Sequence, residues 1–204
     1  MNLLHHWLCR SGRWRRTLEQ RIPWCVGDQD LGPRVLELGP GPGLTTDVLR
    51  LSVPHLTVLE FDSRLAASLR SRFARSNVEV INGDATAMPF PDNSFSAVAA
   101  FTMLHHIPTR ELQDRLLREV WRVLRSGGVF VGSDSLQSWL MRLIHIADTL
   151  VPVDPITFGA RLTAAGFEGV VVEKNSQAFR FRARRPVNES SISNTSLMET
   201  KLSL

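Results

Sequence analysis

Gly39, Gly41 and Gly43 alternate with prolines in the run Gly-Pro-Gly-Pro-Gly, directly after the apolar stretch Val35–Leu38. Glycine turns the chain sharply and lets a ligand approach the backbone with no Cβ in the way. Glu60 lies 21 positions beyond Gly39, and Asp84 closes the segment NVEVINGD. Glu37 adds a carboxylate within the apolar stretch itself. At that offset a carboxylate accepts both hydroxyls of a ribose. A second acid at the same sheet edge can accept from an adenine amine. The loop and the acids together describe a nucleoside site.

A dinucleotide site would show G-x-G-x-x-G, with a pyrophosphate over a helix start. Here the glycines read G-x-G-x-G, and Leu44 stands where the last dinucleotide glycine belongs. Several carboxylates around one nucleoside suit a cation better than a polyphosphate. S-adenosylmethionine carries a sulfonium and an ammonium and no phosphate.

His105 and His106 are the other groups able to do chemistry. Adjacent on a strand, they would point to opposite faces and could not share a metal. Either could take a proton from an acceptor, since imidazole titrates near neutrality. His105 is the candidate base. Asp134 ends a later strand and faces the same cleft. No metal site is expected.

The elements that must position these groups alternate regularly. Strands are expected at RVLELG, HLTVLEFD, NVEVINGD, SAVAAFTMLHHI and GVFVGSD. Helices are expected at LTTDVLRLS, at SRLAASLRSRFARS with Ser63 or the preceding Asp62 as N-cap, and at TRELQDRLLREVWRVLRSGG with a closing glycine. Apolar strands alternating with helices argue for a parallel sheet covered on both faces. In such a sheet, ligands sit at the carboxyl ends of the strands, where the strand order reverses. GVVVEK and QAFRFRAR read as a closing hairpin, and Arg180, Arg182 and Arg184 share one face of its second strand, as a solvated edge would.

Residues 1–30 read as an N-terminal helical extension, interrupted at Gly12 and broken by Pro23 and Gly27. Residues 31–187 form a single domain. Within it, 136–155 is a helical insertion expected to close over the cleft with the N-terminal helix and make an apolar acceptor pocket. Residues 188–204 are serine-rich and expected to be disordered.

Apolar residues make up 43% and charged residues 22% of the 204, as in ordinary globular chains. No apolar run is long enough to span a bilayer. Two cysteines make neither a disulfide framework nor a zinc site. With no secretory signal recognisable at the start, a cytoplasmic location is expected. The net charge is +4 and the pI about 10. That balance reflects arginine usage or attraction to an anionic partner. A basic N-terminal helix carrying Trp7 and Trp14 would suit peripheral contact with a membrane surface.

VLELGPGPGLTTDVL, LTVLEFD, NGDATAMPFPDNSFSAV, FTMLHHI and REVWRVLRSGGVFV resemble, in order, the motifs of class I S-adenosylmethionine-dependent methyltransferases. The match is nearest the small-molecule branch called type 11, over about residues 34–134. The resemblance implies an α/β, Rossmann-like, doubly wound sheet of seven strands, mostly parallel with the last antiparallel. It also implies roles. Glu37 and the backbone of Gly39, Pro40, Gly41 and Gly43 would hold the methionine end. Glu60 would grip the ribose, with Phe61 beside the adenine. Asp84 would meet the adenine amine, Ala85 would contribute backbone, and Thr102 would face the methionine moiety. Ser96 departs from the aspartate of many relatives, at a position away from the pocket.

The activity so implied is methyl transfer to a small apolar or amphipathic acceptor, such as a quinone-like ring or a lipid. The stretch Val35–Asp84 is also similar to ribosomal RNA adenine dimethylases, and RNA adenine-N6 methylation is the alternative. Those enzymes carry Asn-Leu-Pro-Tyr at the end of strand four, where this chain has Thr102-Met103-Leu104-His105. Nucleic acid is therefore not the expected partner. A non-catalytic cofactor-binding subunit or sensor is the remaining alternative.

Overall fold

A computed structural model describes residues 12–136 and 149–187, with the side chains of 12–15 left aside. Residues 1–11 of the N-terminal extension, 137–148 of the 136–155 insertion and the 188–204 tail lie outside the described residues, as do the side chains of Trp7 and Trp14.

Seven strands make one sheet: β1 (Arg34–Leu38), β2 (His55–Glu60), β3 (Val78–Asn82), β4 (Phe95–Phe101), β5 (Leu124–Ser135), β6 (Glu168–Lys174) and β7 (Ala178–Arg184). Their order is β3-β2-β1-β4-β5-β7-β6. β1 to β5 run parallel, and β7 is antiparallel to both β5 and β6. The order reverses between β1 and β4, so a crevice is expected at their carboxyl ends. Every residue of β4 is buried, which a strand reads as a continuous apolar run when both its faces are covered.

The helices are α1 (Gly12–Val26), α2 (Leu44–Leu49), α3 (Ser63–Phe73), α4 (Arg110–Val123) and α5 (Pro155–Ala164). Period-two alternation divides the core. Val35, Val58, Ala97, Ala99 and Val131 pack with Ile22 and Cys25 of α1, Leu49 of α2 and Leu69 of α3. Leu36, Leu59, Val98 and Phe130 pack with Leu116 and Val120 of α4 and Phe158 and Leu162 of α5. Glu37 and Glu60 follow the first set in alternation, so both side chains belong to the face covered by α1, α2 and α3.

Several local expectations are corrected. α1 runs through Pro23 and stops only at Gly27, whose φ is +60° and whose N–H donates to the Pro23 carbonyl at 2.8 Å. Burial of Ile22 and Cys25 on either side of the proline offsets its missing hydrogen bond. Of the two expected cap candidates it is Asp62 that caps α3, accepting from Arg64 N (2.8 Å) and Leu65 N (3.1 Å). α4 ends at Val123, and Leu124 to Gly128 already belong to β5 rather than closing the helix. The fully buried Leu124 pairs with Phe95 before the ladder shifts register.

β7 is no edge strand, because β6 covers its outer side. Its arginines fasten the end of α1 to the sheet. Arg180 stacks over the Trp24 ring at 4.9 Å and donates to the Trp24 carbonyl. Arg182 meets Asp28 at 3.1 Å, and Arg184 donates to Gln29 at 3.1 Å. Ser96 is buried at the amino end of β4, donating to the Leu31 carbonyl (2.7 Å) and accepting from Arg34 N (3.0 Å). It stands at the opposite end of the strand from the crevice.

Candidate active site

Positive φ angles at three alternate positions, +59° at Gly39, +55° at Gly41 and +81° at Gly43, carry the chain from β1 into α2. The three glycines serve different ends. A Cβ on Gly39 would lie 3.0 Å from Met103 Cβ, and one on Gly43 would lie 2.7 Å from Leu69 Cδ2. At Gly41 a Cβ would meet nothing within 4 Å. The outer glycines allow close packing, while the middle one borders open space. Gly39 N donates to the Leu59 carbonyl (2.9 Å) and Gly43 N to that of the buried Pro40 (2.9 Å), so the loop is held from both ends.

Glu37 is 1% exposed and accepts from the hydroxyls of Thr45 and, at 2.7 Å, Thr46. It ties β1 to the first turn of α2. Burial pushes its carboxyl up to about 7, and the nearby charge of Glu60 acts in the same direction. Both of its oxygens are thus engaged within the protein, and its direct neighbours are threonines. Thr45 and Thr46 escaped the sequence reading; their signal is two hydroxyls at a helix start after a buried acid.

Glu60 is 6% exposed at the carboxyl end of β2. It accepts from Gly41 N (3.0 Å) and Asp62 N (2.9 Å). Burial raises its carboxyl above the usual range, against these hydrogen bonds. A carboxylate has about four acceptor positions, so these N–H groups do not exhaust it. Next to it the Phe61 ring is 76% exposed, an apolar platform at the rim. Asn82, opposite Glu60 in the ladder, donates to the carbonyls of Glu60 (2.8 Å) and Phe61 (3.0 Å) and fixes this corner. It too escaped the sequence reading.

Asp84 is exposed, and its Oδ1 accepts from Thr86 N at 2.7 Å in a local turn; Ala85 beside it is buried. The loop beyond is held from α4. Glu119 accepts from Met88 N (2.7 Å), and Arg122 donates to Phe90 O (2.8 Å) and Asp92 (2.8 Å). Thr102 leaves β4 with φ +52°, a conformation β-branched residues rarely adopt. Its N–H donates to the Ser133 carbonyl at 2.7 Å.

The histidines do not sit on a strand. Leu104–His106 is a 3₁₀ turn, and the His105 and His106 rings lie side by side, centroids 4.2 Å apart. The left-handed step at Thr102 ends the alternation that would have opposed them. His105 is 3% exposed and contacts Asp134, which is fully buried. Glu37, the glycine loop, Glu60, Phe61, Asp84 and Thr102 thus share one end of the sheet, at the ends of β1 to β4, with His105 beside them. Among the described residues, no group of three or more His, Cys, Asp or Glu side chains is placed to hold a metal, and no helix is long and apolar enough to cross a membrane.

The seven-stranded order with its antiparallel strand β7 is the class I methyltransferase fold. A family model described as a methyltransferase domain matches residues 36–132, a little under half of the chain, and supports the resemblance to the type 11 branch. It is 30% identical over 154 residues to a sterol 24-C-methyltransferase of Gibberella zeae, covering 67% of this chain and 40% of that one. It is 27% identical over 178 residues to 2-methyl-6-phytyl-1,4-hydroquinone methyltransferase 1 of Oryza sativa, covering 85% of this chain and 53% of that one. The chain thus spans about half the length, or less, of these curated relatives. The phosphoethanolamine N-methyltransferase 2 of Haemonchus contortus, solved with S-adenosylhomocysteine, shares the fold with TM-score 0.69 at 15% identity, over 86% of this chain and 53% of that one.

Proposed function

We propose that this chain transfers the methyl group of S-adenosylmethionine to a small apolar or amphipathic acceptor of quinone or lipid type. The observation that carries the reading is the open space beside Gly41, next to the buried carboxylate of Glu60. Glu60 accepts the ribose hydroxyls, and the exposed Phe61 ring lies against the adenine. Asp84 accepts from the adenine amine, with Ala85 contributing backbone. Gly39 to Gly43 admit the methionine end, which Thr102 faces. Glu37 acts at one remove, setting the loop through Thr45 and Thr46 and adding negative charge near a cation. The donor supplies an already activated methyl group, so the residues need chiefly to align the acceptor and exclude water. The relatives named for a sterol and a hydroquinone support an apolar acceptor.

The test is incubation with methyl-labelled donor and fractionated cell extract. Label is expected in the lipid or small-molecule fraction. Label confined to RNA would overturn the reading.

A further inference from the structure

Residues 83–94, between β3 and β4, form neither helix nor strand, and they carry Asp84 and Ala85. One side chain of α4 reaches across this loop. Arg122 donates from all five of its N–H groups: Nη1 to the Phe90 carbonyl (2.8 Å) and Asp92 Oδ1 (2.8 Å), Nη2 to the Met88 carbonyl (3.1 Å) and Glu119 Oε2 (2.8 Å), and Nε to Glu119 Oε1 (2.8 Å). Glu119 in turn accepts from Met88 N (2.7 Å), and Asn93, with φ +60°, donates its N–H to the Arg122 carbonyl (3.1 Å). The hydrogen bonds from Arg122 hold the Glu119 carboxyl below the usual range, so the pair stays charged. Main-chain groups on both sides of Pro89 are thereby fixed.

A partly exposed ion pair contributes little by itself. Docking α4 on the sheet needs no such fork, since Leu116, Val120 and Val123 are already fully buried. What the fork adds is a single conformation for the loop. That conformation reaches Asp84 in two short steps. Pro89 packs on Gly83, where a Cβ would lie 3.5 Å from Pro89 Cδ and 3.0 Å from Leu59 Cδ1. Gly83 N donates to the Glu60 carbonyl (3.0 Å), and Ala87 N to that of Asp84 (3.1 Å). The Asp84 turn is thus pinned on one side at the end of β2 and on the other at Met88. Its carboxylate accepts from Thr86 N and retains acceptor positions beyond that bond. An acceptor tells one base from another only when its direction is fixed, and a loop ordered in advance loses less entropy when a ligand binds.

We propose that Arg122, together with Glu119, is a positioning residue for the base end of the site. It sets the Asp84–Asp92 loop before a ligand arrives, and so determines how well the site tells adenine from a purine without the 6-amino group. This rests on the donor-site reading above, in which Asp84 accepts from the adenine amine.

The test uses the full chain and Arg122→Lys, with two probes: S-adenosylhomocysteine and its analogue bearing hydrogen in place of the 6-amino group. Calorimetry on wild type comes first, and binding of neither compound sinks the donor-site reading itself. Given binding, wild type should prefer S-adenosylhomocysteine by about 10-fold or more, the scale of a hydrogen bond to a charged group. Lysine keeps the charge beside Glu119 but cannot bridge Met88, Phe90 and Asp92 at once, so the preference should fall below about 3-fold. A general loss of stability would weaken both compounds alike and leave the ratio unchanged. Hydrogen exchange on ligand-free wild type should show the Met88 amide protected by about 100-fold or more, with faster exchange in Arg122→Lys. Three results overturn the proposal: a wild type that binds both compounds equally, a preference that survives intact in Arg122→Lys, or an unprotected Met88 amide in ligand-free wild type. The wild-type preference and exchange decide it even if Arg122→Lys does not fold.

Discussion

Gly41 donates its backbone N–H to Glu60 Oε2 at 3.0 Å, so the turn of the glycine loop and the end of β2 form one unit. Glu60→Ala removes the partner of that N–H as well as the proposed acceptor for the ribose hydroxyls. We expect the variant to bind S-adenosylmethionine about 2 kcal/mol more weakly, the scale of lost charge-assisted hydrogen bonds. Calorimetric titration checks it, and an unchanged affinity would remove Glu60 from the site.

The glycines should separate by function when each is changed to alanine. Gly41→Ala meets only left-handed backbone strain, about 1–2 kcal/mol of stability, but places a methyl where the donor approaches. Gly43→Ala adds a collision with Leu69 to the same strain, so its melting temperature should fall further. Paired thermal melts and donor titrations test the contrast. It fails if Gly41→Ala binds donor normally.

Glu37 makes stability depend on pH. Its folded value, about 7, lies above the ordinary glutamate value of 4.5, so the folded state holds a proton that the unfolded chain has released. Between those values the folded state binds more protons, and stability falls as pH rises. Burial of Glu60 acts in the same direction. Glu37→Gln should therefore gain stability relative to wild type across pH 4.5 to 7, by roughly 3 kcal/mol for a shift of that size. Urea unfolding of both proteins at several pH values measures the difference, and a pH-independent gap would contradict the assignment.

Thr102 holds a strained backbone angle at the end of β4. Thr102→Gly should be more stable than Thr102→Ala by about 1 kcal/mol, because glycine adopts positive φ without penalty while alanine keeps the strain. Methyl transfer should fall in the glycine variant, since the chain that leads into His105 loses its fixed direction. Thr102→Ala, which keeps the left-handed penalty, is the control, and a Thr102→Gly variant less stable than Thr102→Ala would show that the angle carries no strain.

Much of the site was legible before any coordinates. Glycines at alternate positions after a buried strand and an acid at the end of the next strand are local signals, and the sheet's alternation places both at one edge. The order of motifs carried the seven-stranded topology. What failed was also local in form. Period-two reading set His105 and His106 on opposite faces, but one left-handed residue, Thr102, turned the strand into a 3₁₀ turn. Pro23 signalled a break that packing of Ile22 and Cys25 overrode. Three alternating arginines read as an edge, yet β6 lies outside them.

The sequence by itself determined which acidic residues and glycines gather at one end of the sheet, because spacing along one chain and the two-residue repeat of a strand decide which carboxylates reach the same rim. It could not determine that Asp134 meets His105 or that Glu37 serves Thr45 and Thr46. Those pairings depend on the β4–β5 register, in which Phe101 lies opposite Ser133, and on how α2 settles over β1. Register and helix docking arise from packing summed over the whole sheet, and no short stretch of residues contains that sum.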